Sequence, residues 1–287
     1  MRGKIVLADL WSLTKPGITR LVMVTTGVGF YLGASDSLDL VLLLHTLVGT
    51  GLLAAGTNAL NQYAERGADA RMKRTSKRPL PAGRLKESTA LAFSTGISVA
   101  GALYLVALVN PLTAALGAAS LLIYIFIYTP LKRRTWLCTV VGAVPGALPP
   151  MMGWTAATGR LDALAWVLFG IVFLWQMPHF FAIGWLYKQD YARAGFPILP
   201  VIDDEGKRTA RQIIVYTCAL VVVSLLTSVM GLTGAIYFFG ALTLGLAFLV
   251  LGFALATTPT GLSARRLFLG SVLYLPVLLI LMVVDKV

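Results

Sequence analysis

Long apolar runs dominate the chain, and short polar segments separate them. A helix needs about 20 apolar residues to cross about 30 Å of hydrocarbon. The runs therefore predict an all-α, polytopic membrane protein with nine transmembrane helices. Asn110-Pro111 marks a tight turn between the third helix and the fourth. The predicted spans are residues 17–34, 39–63, 88–108, 111–128, 136–156, 163–186, 212–231, 234–256 and 266–284.

The composition supports a membrane protein and excludes an ordinary soluble enzyme. Hydrophobic residues make up 57% of the 287 residues, and charged residues make up only 13%. A typical soluble domain has about 25% charged residues. The two cysteines, Cys138 and Cys218, both lie in apolar runs. Neither a disulfide framework nor a CxxC metal site is therefore expected.

Basic residues collect in alternate loops of this predicted topology. Lys and Arg number 24 against 12 for Asp and Glu, which gives a net charge of +12. Nearly all of the basic residues lie in the N-terminal segment and in loops 64–87, 129–135, 187–211 and 257–265. This alternation predicts a multi-pass protein of the inner (plasma) membrane, with its N-terminus in the cytoplasm and its C-terminus outside. The charge is accounted for by the membrane, so no nucleic-acid partner is expected.

Four polar residues project from one side of the second predicted helix. At about 100° of rotation per residue, Asn58, Asn61, Glu65 and Asp69 fall within one arc. Polar groups at the membrane are costly and usually face a wet cavity or the interior of the bundle. Two carboxylates one turn apart offer the hard oxygen ligands that suit Mg²⁺, which shares its coordination shell with substrate phosphates.

A cluster of cations follows this polar stripe. Arg74, Lys77 and Arg78 precede Pro79-Leu80-Pro81, which is predicted to end the helix. Cations beside a carboxylate pair are typical of a site for a phosphorylated anion, which metal bridges on one side and arginine clamps on the other. A solvated helix end that obeys the positive-inside rule would show the same spacing, so spacing alone leaves both interpretations open.

Two further polar segments stand out from their apolar surroundings. The first is YTPLKRRT at 128–135, and the second carries Gln176, His179 and Asp190. His179 and Asp190 are eleven residues apart and would share a helix face if the helix continued, although Pro178 is predicted to kink it. Without further context, topogenic charge is the favoured explanation of the first segment, and a hydrogen-bonded packing histidine is an alternative explanation of His179.

Three motifs together resemble those of the UbiA-type intramembrane prenyltransferases, and within that family those of the heme-modifying branch. They are N-x₂-NQY-x-E-x₃-D-x₂-M-x-RT-x₂-RPLP at 58–81, YTPLKRRT-x₆-GAVPGALPPMMGW at 128–154, and WQMPHF…DY-x₂-AGFPILPV at 175–201. The resemblance covers nearly the whole chain. It implies one membrane-embedded domain, 1–287, with nine helices around a central cavity. It also implies that loops 64–87 and 187–211 form a cytoplasmic cap over the active site.

The resemblance implies a Mg²⁺-assisted transfer of a farnesyl group from farnesyl diphosphate to a vinyl group of heme b, with addition of water. This would be a step in heme synthesis for terminal oxidases. The lipid bilayer is a further expected partner, and the downstream heme A synthase or the terminal oxidase assembly is a candidate partner.

The residue roles are implied by the same resemblance, position by position. Asn58, Glu65, Asp69 and Asp190 are expected to hold the metal. Glu65, Asp69, His179 and Asp190 are expected to be catalytic, with His179 as iron ligand, acceptor-positioning group or proton carrier. The residues expected on the diphosphate are Asn58, Asn61, Arg74, Arg78, Tyr128, Lys132, Arg133 and Tyr191. The aromatic residues expected to line the cavity are Trp154, Trp175, Phe180 and Phe181.

One departure from the family pattern and three other interpretations accompany this assignment. Gln189-Asp190-Tyr191 replaces a fuller Asp-rich motif, so a second metal bound wholly by the protein is not expected. A sister UbiA-type prenyltransferase acting on an aromatic acid or a quinone precursor is the nearest alternative. A transporter also carries buried polar residues, but the charges of this chain concentrate at the predicted cytoplasmic edge of the membrane and not at its midplane. A heme-binding cytochrome is disfavoured because His45 and His179 lie at different depths along their helices and would not sandwich one heme.

Overall fold

The computed structural model describes residues 2–35 and 37–287, and helices form most of this part of the chain. The side chains of residues 1–5, which include two basic residues of the predicted cytoplasmic N-terminus, lie outside the described part. In chain order the helices are α1 (Arg2–Leu13), α2 (Pro16–Gly33), α3 (Leu40–Asp69), α4 (Glu87–Leu108), α5 (Pro111–Leu122), a π-helical segment (Ile123–Tyr128), α6 (Thr129–Leu131), α7 (Cys138–Thr158), α8 (Ala163–Leu186), α9 (Lys188–Arg193), α10 (Leu199–Ile202), α11 (Lys207–Val229), α12 (Ala235–Thr257) and α13 (Gly261–Val284).

Seven of the described helices are long and apolar enough to cross a membrane. They are α3, α4, the continuous helix Pro111–Leu131, α8, α11, α12 and α13. All nine predicted spans are helical close to their predicted positions, and α2 and α7, with 18 and 21 residues, are long enough but less apolar than the other seven. The all-α membrane fold is confirmed, and the count of nine spans stays a prediction.

The two less apolar helices, α2 and α7, pack against each other with their backbones in contact. A Cβ on Gly29 would lie 2.0 Å from the carbonyl oxygen of Pro150, and a Cβ on Gly153 would lie 1.9 Å from that of Thr26. Glycine allows membrane helices to approach this closely. Most of α7 from Gly142 to Ala156 is buried, so these helices line the interior of the bundle.

Helix α3 ends at Asp69, and the prediction that Pro79-Leu80-Pro81 ends it is wrong. The chain turns earlier because the Thr75 hydroxyl donates to the carbonyl oxygen of Asp69 at 2.9 Å. In addition, Nη1 of Arg78 reaches back to Oδ2 of Asp69 at 2.7 Å. Residues 70–86 then fold as turns beside the C-terminal end of α3.

The segment after α8 also differs from its prediction. Helix α8 continues through Pro178 to Leu186, and the chain leaves the helix at Tyr187 before α9 starts. His179 and Asp190 therefore lie on different helices and do not share a helix face.

Asp203, an acidic residue of the loop between α8 and α11, is held against the start of α11. Asp203 is buried, because its Oδ2 accepts hydrogen bonds from the backbone N–H and the hydroxyl of Thr209, at 2.7 and 2.8 Å. These bonds tie the loop to the first turn of α11, which begins at Lys207, ahead of the predicted span.

Candidate active site

Two adjacent cavities lie inside the bundle. The first, of about 240 Å³, lies at the C-terminal end of α3, and we call it the polar chamber. The second, of about 340 Å³, lies between α2, α3, α7 and α8, and we call it the apolar chamber. The residues that line both chambers are Ile18, Tyr124, Tyr128, Gly142, Phe180 and Ile183. The two chambers thus share one wall.

Glu65 and Lys132 form the first ion pair of the polar chamber. Nζ of Lys132 lies 2.8 and 3.0 Å from the two carboxylate oxygens of Glu65. Burial alone would lower the pKa of Lys132, but the Glu65 carboxylate outweighs burial and raises that pKa well above its usual value. Lys132 is therefore a permanent cation at the chamber wall.

Asp69 forms the second ion pair, with Arg78. Asp69 is only 3% exposed, and its Oδ2 lies 2.7 Å from Nη1 of Arg78. The carboxylate and the guanidinium both line the polar chamber, together with Arg74. Among the residues that line the polar chamber, lysines and arginines outnumber carboxylates, so the chamber favours an anionic ligand.

Lys15 is a further cation of this chamber, and its place in the fold is unusual. It precedes Pro16, the first residue of α2, with φ 48° and ψ 67°, a left-handed conformation that non-glycine residues rarely adopt. Its Nζ donates to Oδ1 of Asn61 at 3.0 Å. Burial, and then the positive charge of Arg78, lower the pKa of Lys15 to about 7. The chain tolerates backbone strain that directs an amine into the chamber.

The donor set of the polar chamber fits a hard divalent cation that shares its coordination with a ligand. Within residues 2–35 and 37–287, no group of three His, Cys, Asp or Glu side chains could hold a metal ion by itself. Glu65 and Asp69 are buried carboxylates on one face of α3. Mg²⁺ commonly takes one or two protein carboxylates and completes its shell with water and substrate phosphate. Two carboxylates therefore suffice for such a site.

A π-helical segment shapes the wall between the chambers. It spans Ile123–Tyr128, and the rings of Tyr124 and Tyr128 lie 5.0 Å apart. Nζ of Lys132 lies 4.9 Å from the centre of the Tyr128 ring. Short π-helical insertions often occur at functional sites because they redirect side chains. Here both tyrosines face the junction of the chambers.

The apolar chamber contains no charged side chain among its described lining residues. His179 lines it with its ring stacked on Trp175, at a centroid distance of 5.1 Å and an interplanar angle of 23°. Gln176 also lines it, and its amide donates to the carbonyl oxygen of Ala143 at 3.2 Å. The chamber is shaped for a flat apolar guest with one or two polar contacts.

Several of the predicted site residues line the polar chamber or the apolar chamber. Glu65, Asp69, Asn61, Arg74, Arg78, Lys132 and Tyr191 line the polar chamber, and Tyr128 lines both chambers. Asn58 lies on the apolar side, where its amide donates to the Thr19 hydroxyl at 3.3 Å. Trp175 and Phe180 line the apolar chamber, as expected.

Other predicted residues lie elsewhere. Asp190 lines neither chamber, because its carboxylate accepts hydrogen bonds from Arg193 and from the backbone N–H groups of Lys73 and Arg74. Burial opposes its ionisation, but these bonds outweigh burial and lower the pKa of Asp190. The contact joins α9 to the turns after α3. Arg133 is exposed and lines neither chamber.

Two predicted aromatic residues also lie outside the chambers. Trp154 donates through its indole N–H to Oδ2 of Asp162 at 3.2 Å, and Phe181 is packed in the hydrophobic core.

Sequence reasoning missed Lys15, Tyr124 and Ser271. In the sequence, Lys15 is one of several basic residues of the predicted cytoplasmic N-terminal segment. Its position just before Pro16 puts it on the same predicted side of the membrane as Glu65 and Asp69. Tyr124 and Ser271 sit inside apolar runs with no periodic signal to distinguish them. Oγ of Ser271 lies 2.7 Å from Nδ1 of His179, a hydrogen bond that only the structure reveals.

A helical bundle with a charged chamber beside an apolar one suits an intramembrane enzyme whose substrate has a charged head and an apolar body. The profile of the UbiA prenyltransferase family matches residues 22–277. The chain therefore belongs to the UbiA prenyltransferase family and is a multi-pass membrane protein.

The chain is also similar, over nearly its whole length, to individual proteins of known name. The chain is 50% identical to a protoheme IX farnesyltransferase of Solibacter usitatus over 98% of this chain and 99% of that one. It is 44% identical to a protein of the same name from Salinibacter ruber, over 97% and 99% of the two chains.

Solved structures share the fold at low sequence identity. A digeranylgeranylglyceryl phosphate synthase matches with a TM-score of 0.82 and 15% identity, over 97% of this chain and 98% of that one. A UbiA homolog from Archaeoglobus fulgidus, bound to DMAPP and Mg²⁺, matches with a TM-score of 0.69 and 17% identity, over 96% and 99% of the two chains.

Proposed function

We propose that this chain transfers the farnesyl group of farnesyl diphosphate to a vinyl group of heme b, with addition of water, to give heme O and diphosphate. The observation that carries this proposal is the shared wall between a cationic chamber and an apolar chamber that contains a histidine. The protoheme IX farnesyltransferases, which align over the full length of the chain, support farnesyl as donor and heme as acceptor.

The polar chamber would hold the diphosphate. Lys15, Arg74, Arg78 and Lys132 supply donors for its oxygens, and Glu65 with Asp69 would hold a Mg²⁺ ion against them. When bound, the metal ion would neutralise the charge of the leaving diphosphate. Lys132 and Arg78 are paired with those carboxylates in this structure, so each can turn from a carboxylate to a phosphate oxygen as the site fills.

The junction between the chambers would hold the reacting carbon. The C1–O bond of farnesyl diphosphate breaks there, and the electron pair leaves with the diphosphate. The ring faces of Tyr124 and Tyr128 are suited to stabilise the allylic cation that develops. Lining residues such as Phe180 and Ile183 would limit access of water to this cation until the acceptor reacts.

The apolar chamber would present the acceptor. The terminal carbon of the porphyrin vinyl group donates its π electrons to C1 of the farnesyl group and forms the new C–C bond. The positive charge then rests on the vinyl carbon next to the macrocycle. Water adds to that carbon and loses one proton, which leaves a hydroxyethylfarnesyl arm. His179 lines the chamber in which this acceptor would sit.

The remaining assignments follow from the same proposal. The turns of residues 70–86 and the segment around α9, joined through Asp190, would cover the polar chamber as the cap. We place this cap and the N-terminus on the cytoplasmic side of the plasma membrane, because basic residues concentrate on that side. The downstream heme A synthase or a terminal oxidase assembly would receive the product.

The test of this function is mass spectrometry of hemes extracted after incubation of the purified protein with heme b, farnesyl diphosphate and Mg²⁺. The expected product is a heme heavier by one farnesyl group and one hydroxyl group, and it should be absent when farnesyl diphosphate is omitted. If protein that binds farnesyl diphosphate leaves the heme unchanged but prenylates an aromatic acid or a quinone precursor, the heme assignment is wrong.

A further inference from the structure

His179 is held on three sides in the wall of the apolar chamber. Its ring stacks on Trp175 at 5.1 Å and lies 5.2 Å from the ring of Phe268, measured between ring centres. Its Nδ1 lies 2.7 Å from Oγ of Ser271 on α13. Helices α8 and α13 therefore fix both the plane of the imidazole and the direction of its nitrogens.

The hydrogen bonds of Ser271 determine which nitrogen of His179 carries the proton. The Ser271 hydroxyl lies 2.5 Å from the carbonyl oxygen of Phe268, an atom that can only accept a hydrogen bond. The single proton of that hydroxyl is consequently used there. The remaining contact, with Nδ1 of His179, has to be made by an N–H of the imidazole, which donates to Oγ of Ser271. In the neutral ring, Nε2 then carries a free lone pair.

A second bond from the same residue stabilises the arrangement. The indole N–H of Trp175 donates to the backbone carbonyl oxygen of Ser271 at 2.8 Å. Trp175 is the residue that stacks on His179, so Ser271 holds the histidine and its stacking partner together. Ser271 is fully buried, which keeps water from competing for these bonds.

We infer that Ser271 positions His179 so that its Nε2 is the axial ligand of the heme iron in the acceptor complex. This inference rests on the proposed function and names the contact that would orient the heme in the chamber. Neutral imidazole is a common ligand of heme iron, and a hydrogen bond from its other nitrogen increases its basicity and fixes its orientation. Ser271 acts through His179, so it is a positioning residue.

The structure also contains competing donors, because Tyr124 and Tyr128 line the same chamber and a tyrosine oxygen is a known type of heme ligand. Met152 of α7 lines the same chamber, and its thioether sulfur is a known type of heme ligand. The chamber has no other described histidine and no cysteine in its lining. Spectroscopy of ligand variants separates these candidates, because imidazole, thioether and phenolate ligation give different absorption and electron paramagnetic resonance spectra.

The experiment is a titration of ferric heme b into the purified full chain, followed by absorption and electron paramagnetic resonance. The wild type should show a histidine-ligated iron. His179→Gly should lose this signature and recover it with added imidazole, and Met152→Leu should keep it. Ser271→Ala should weaken heme binding about tenfold and broaden the iron signal, and Ser271→Thr, which keeps the hydroxyl, should restore both.

The matched control is Ser94→Ala. Ser94 is a buried serine on α4 whose hydroxyl donates to the carbonyl oxygen three residues earlier, as Ser271 does, and it does not contact His179. Ser94→Ala should leave the heme spectrum unchanged.

A wild-type spectrum in His179→Gly, or wild-type heme affinity in Ser271→Ala, would overturn the inference. Such a result with heme still converted to product would leave the proposed function intact. Absence of product with a histidine-ligated spectrum would instead contradict the proposed function and support the ligand assignment.

Discussion

The polar chamber and the apolar chamber share a wall, yet their polar groups are arranged in opposite ways. In the polar chamber the side chains pair with one another, Glu65 with Lys132 and Asp69 with Arg78. In the apolar chamber, Gln176 bonds to the carbonyl oxygen of Ala143, and His179 bonds to Ser271. The first arrangement can exchange partners when an anion and a metal ion arrive, whereas the second keeps its walls fixed.

This difference matches what each chamber would bind. A diphosphate brings its own charge, so cations that are already paired lose little when they turn toward it. The macrocycle and vinyl groups of the proposed acceptor bring few polar atoms to the chamber wall, so a mobile polar wall would leave hydrogen-bonding groups unpaired and buried. The bundle therefore combines an adaptable charged half with a fixed apolar half.

Among the variants considered, loss of the Asp69 carboxylate in the polar chamber should have the largest effect on turnover. Asp69→Asn removes a candidate metal ligand and the partner of Arg78, so turnover should fall by about 10²–10³-fold, with membrane insertion intact. Asp204→Asn makes the same chemical change at an exposed position and should be neutral. Heme conversion assays on the two variants make the comparison, and activity of Asp69→Asn close to that of wild type would remove the metal assignment.

A double-mutant cycle tests whether Lys132 serves the substrate or only Glu65. Lys132→Gln should reduce kcat/KM about 100-fold if the ammonium binds the diphosphate. Lys132→Gln combined with Glu65→Gln removes the whole pair and leaves no buried unpaired carboxylate. The double variant should regain stability in thermal unfolding and stay inactive. Recovery of activity would show that Lys132 does no more than neutralise Glu65.

A methyl group at the shared wall should produce an intermediate effect. A Cβ on Gly142 would lie 2.5 Å from the ring of Tyr128, so Gly142→Ala would displace the tyrosine at the junction. We expect kcat/KM to fall on the order of tenfold. Gly96→Ala, on α4 with open space around it, is the control and should be neutral in the same assay. An unaffected Gly142→Ala enzyme would show that the junction does not hold the reacting carbon.

The smallest expected effect is a pH dependence of farnesyl diphosphate binding, caused by titration of Lys15. Burial and Arg78 lower its pKa to about 7, so the ammonium is present below that pH and is lost as pH rises through it. Lys132 adds to this lowering, and Glu65 and Asp69 oppose it. The ratio of wild-type Kd to Lys15→Arg Kd for farnesyl diphosphate should therefore rise a few-fold from pH 6 to pH 8, because arginine keeps its charge throughout. A ratio independent of pH would mean that Lys15 does not contact the diphosphate.

The long helices and the part of the candidate site that lies on α3 were predictable from the sequence, because both depend on local patterns. Apolar runs place every long helix, and the spacing of Asn61, Glu65 and Asp69 puts them on one face of α3. The end of α3 was not predictable in this way. It depends on Arg78 and Thr75 folding back onto Asp69, contacts that no helical periodicity encodes.

The positions of Asp190 and Arg133 depend on tertiary contacts too. Asp190 is an acidic residue of the third motif, which predicted a metal ligand, but its carboxylate accepts hydrogen bonds from the backbone N–H groups of Lys73 and Arg74. Arg133 follows Lys132 directly, and a turn of the chain exposes it while Lys132 points inward. Adjacent cations carry the same sequence signal, and only the path of the backbone separates them.

The division between the chambers is tested most directly by measuring two equilibrium constants on one pair of variants. The constants are Kd for farnesyl diphosphate with Mg²⁺ and Kd for heme b, each determined for Asp69→Asn and for His179→Ala. The account predicts that Asp69→Asn loses affinity only for farnesyl diphosphate and that His179→Ala loses affinity only for heme b. Equal loss of both ligands in either variant would contradict the assignment of one ligand to each chamber.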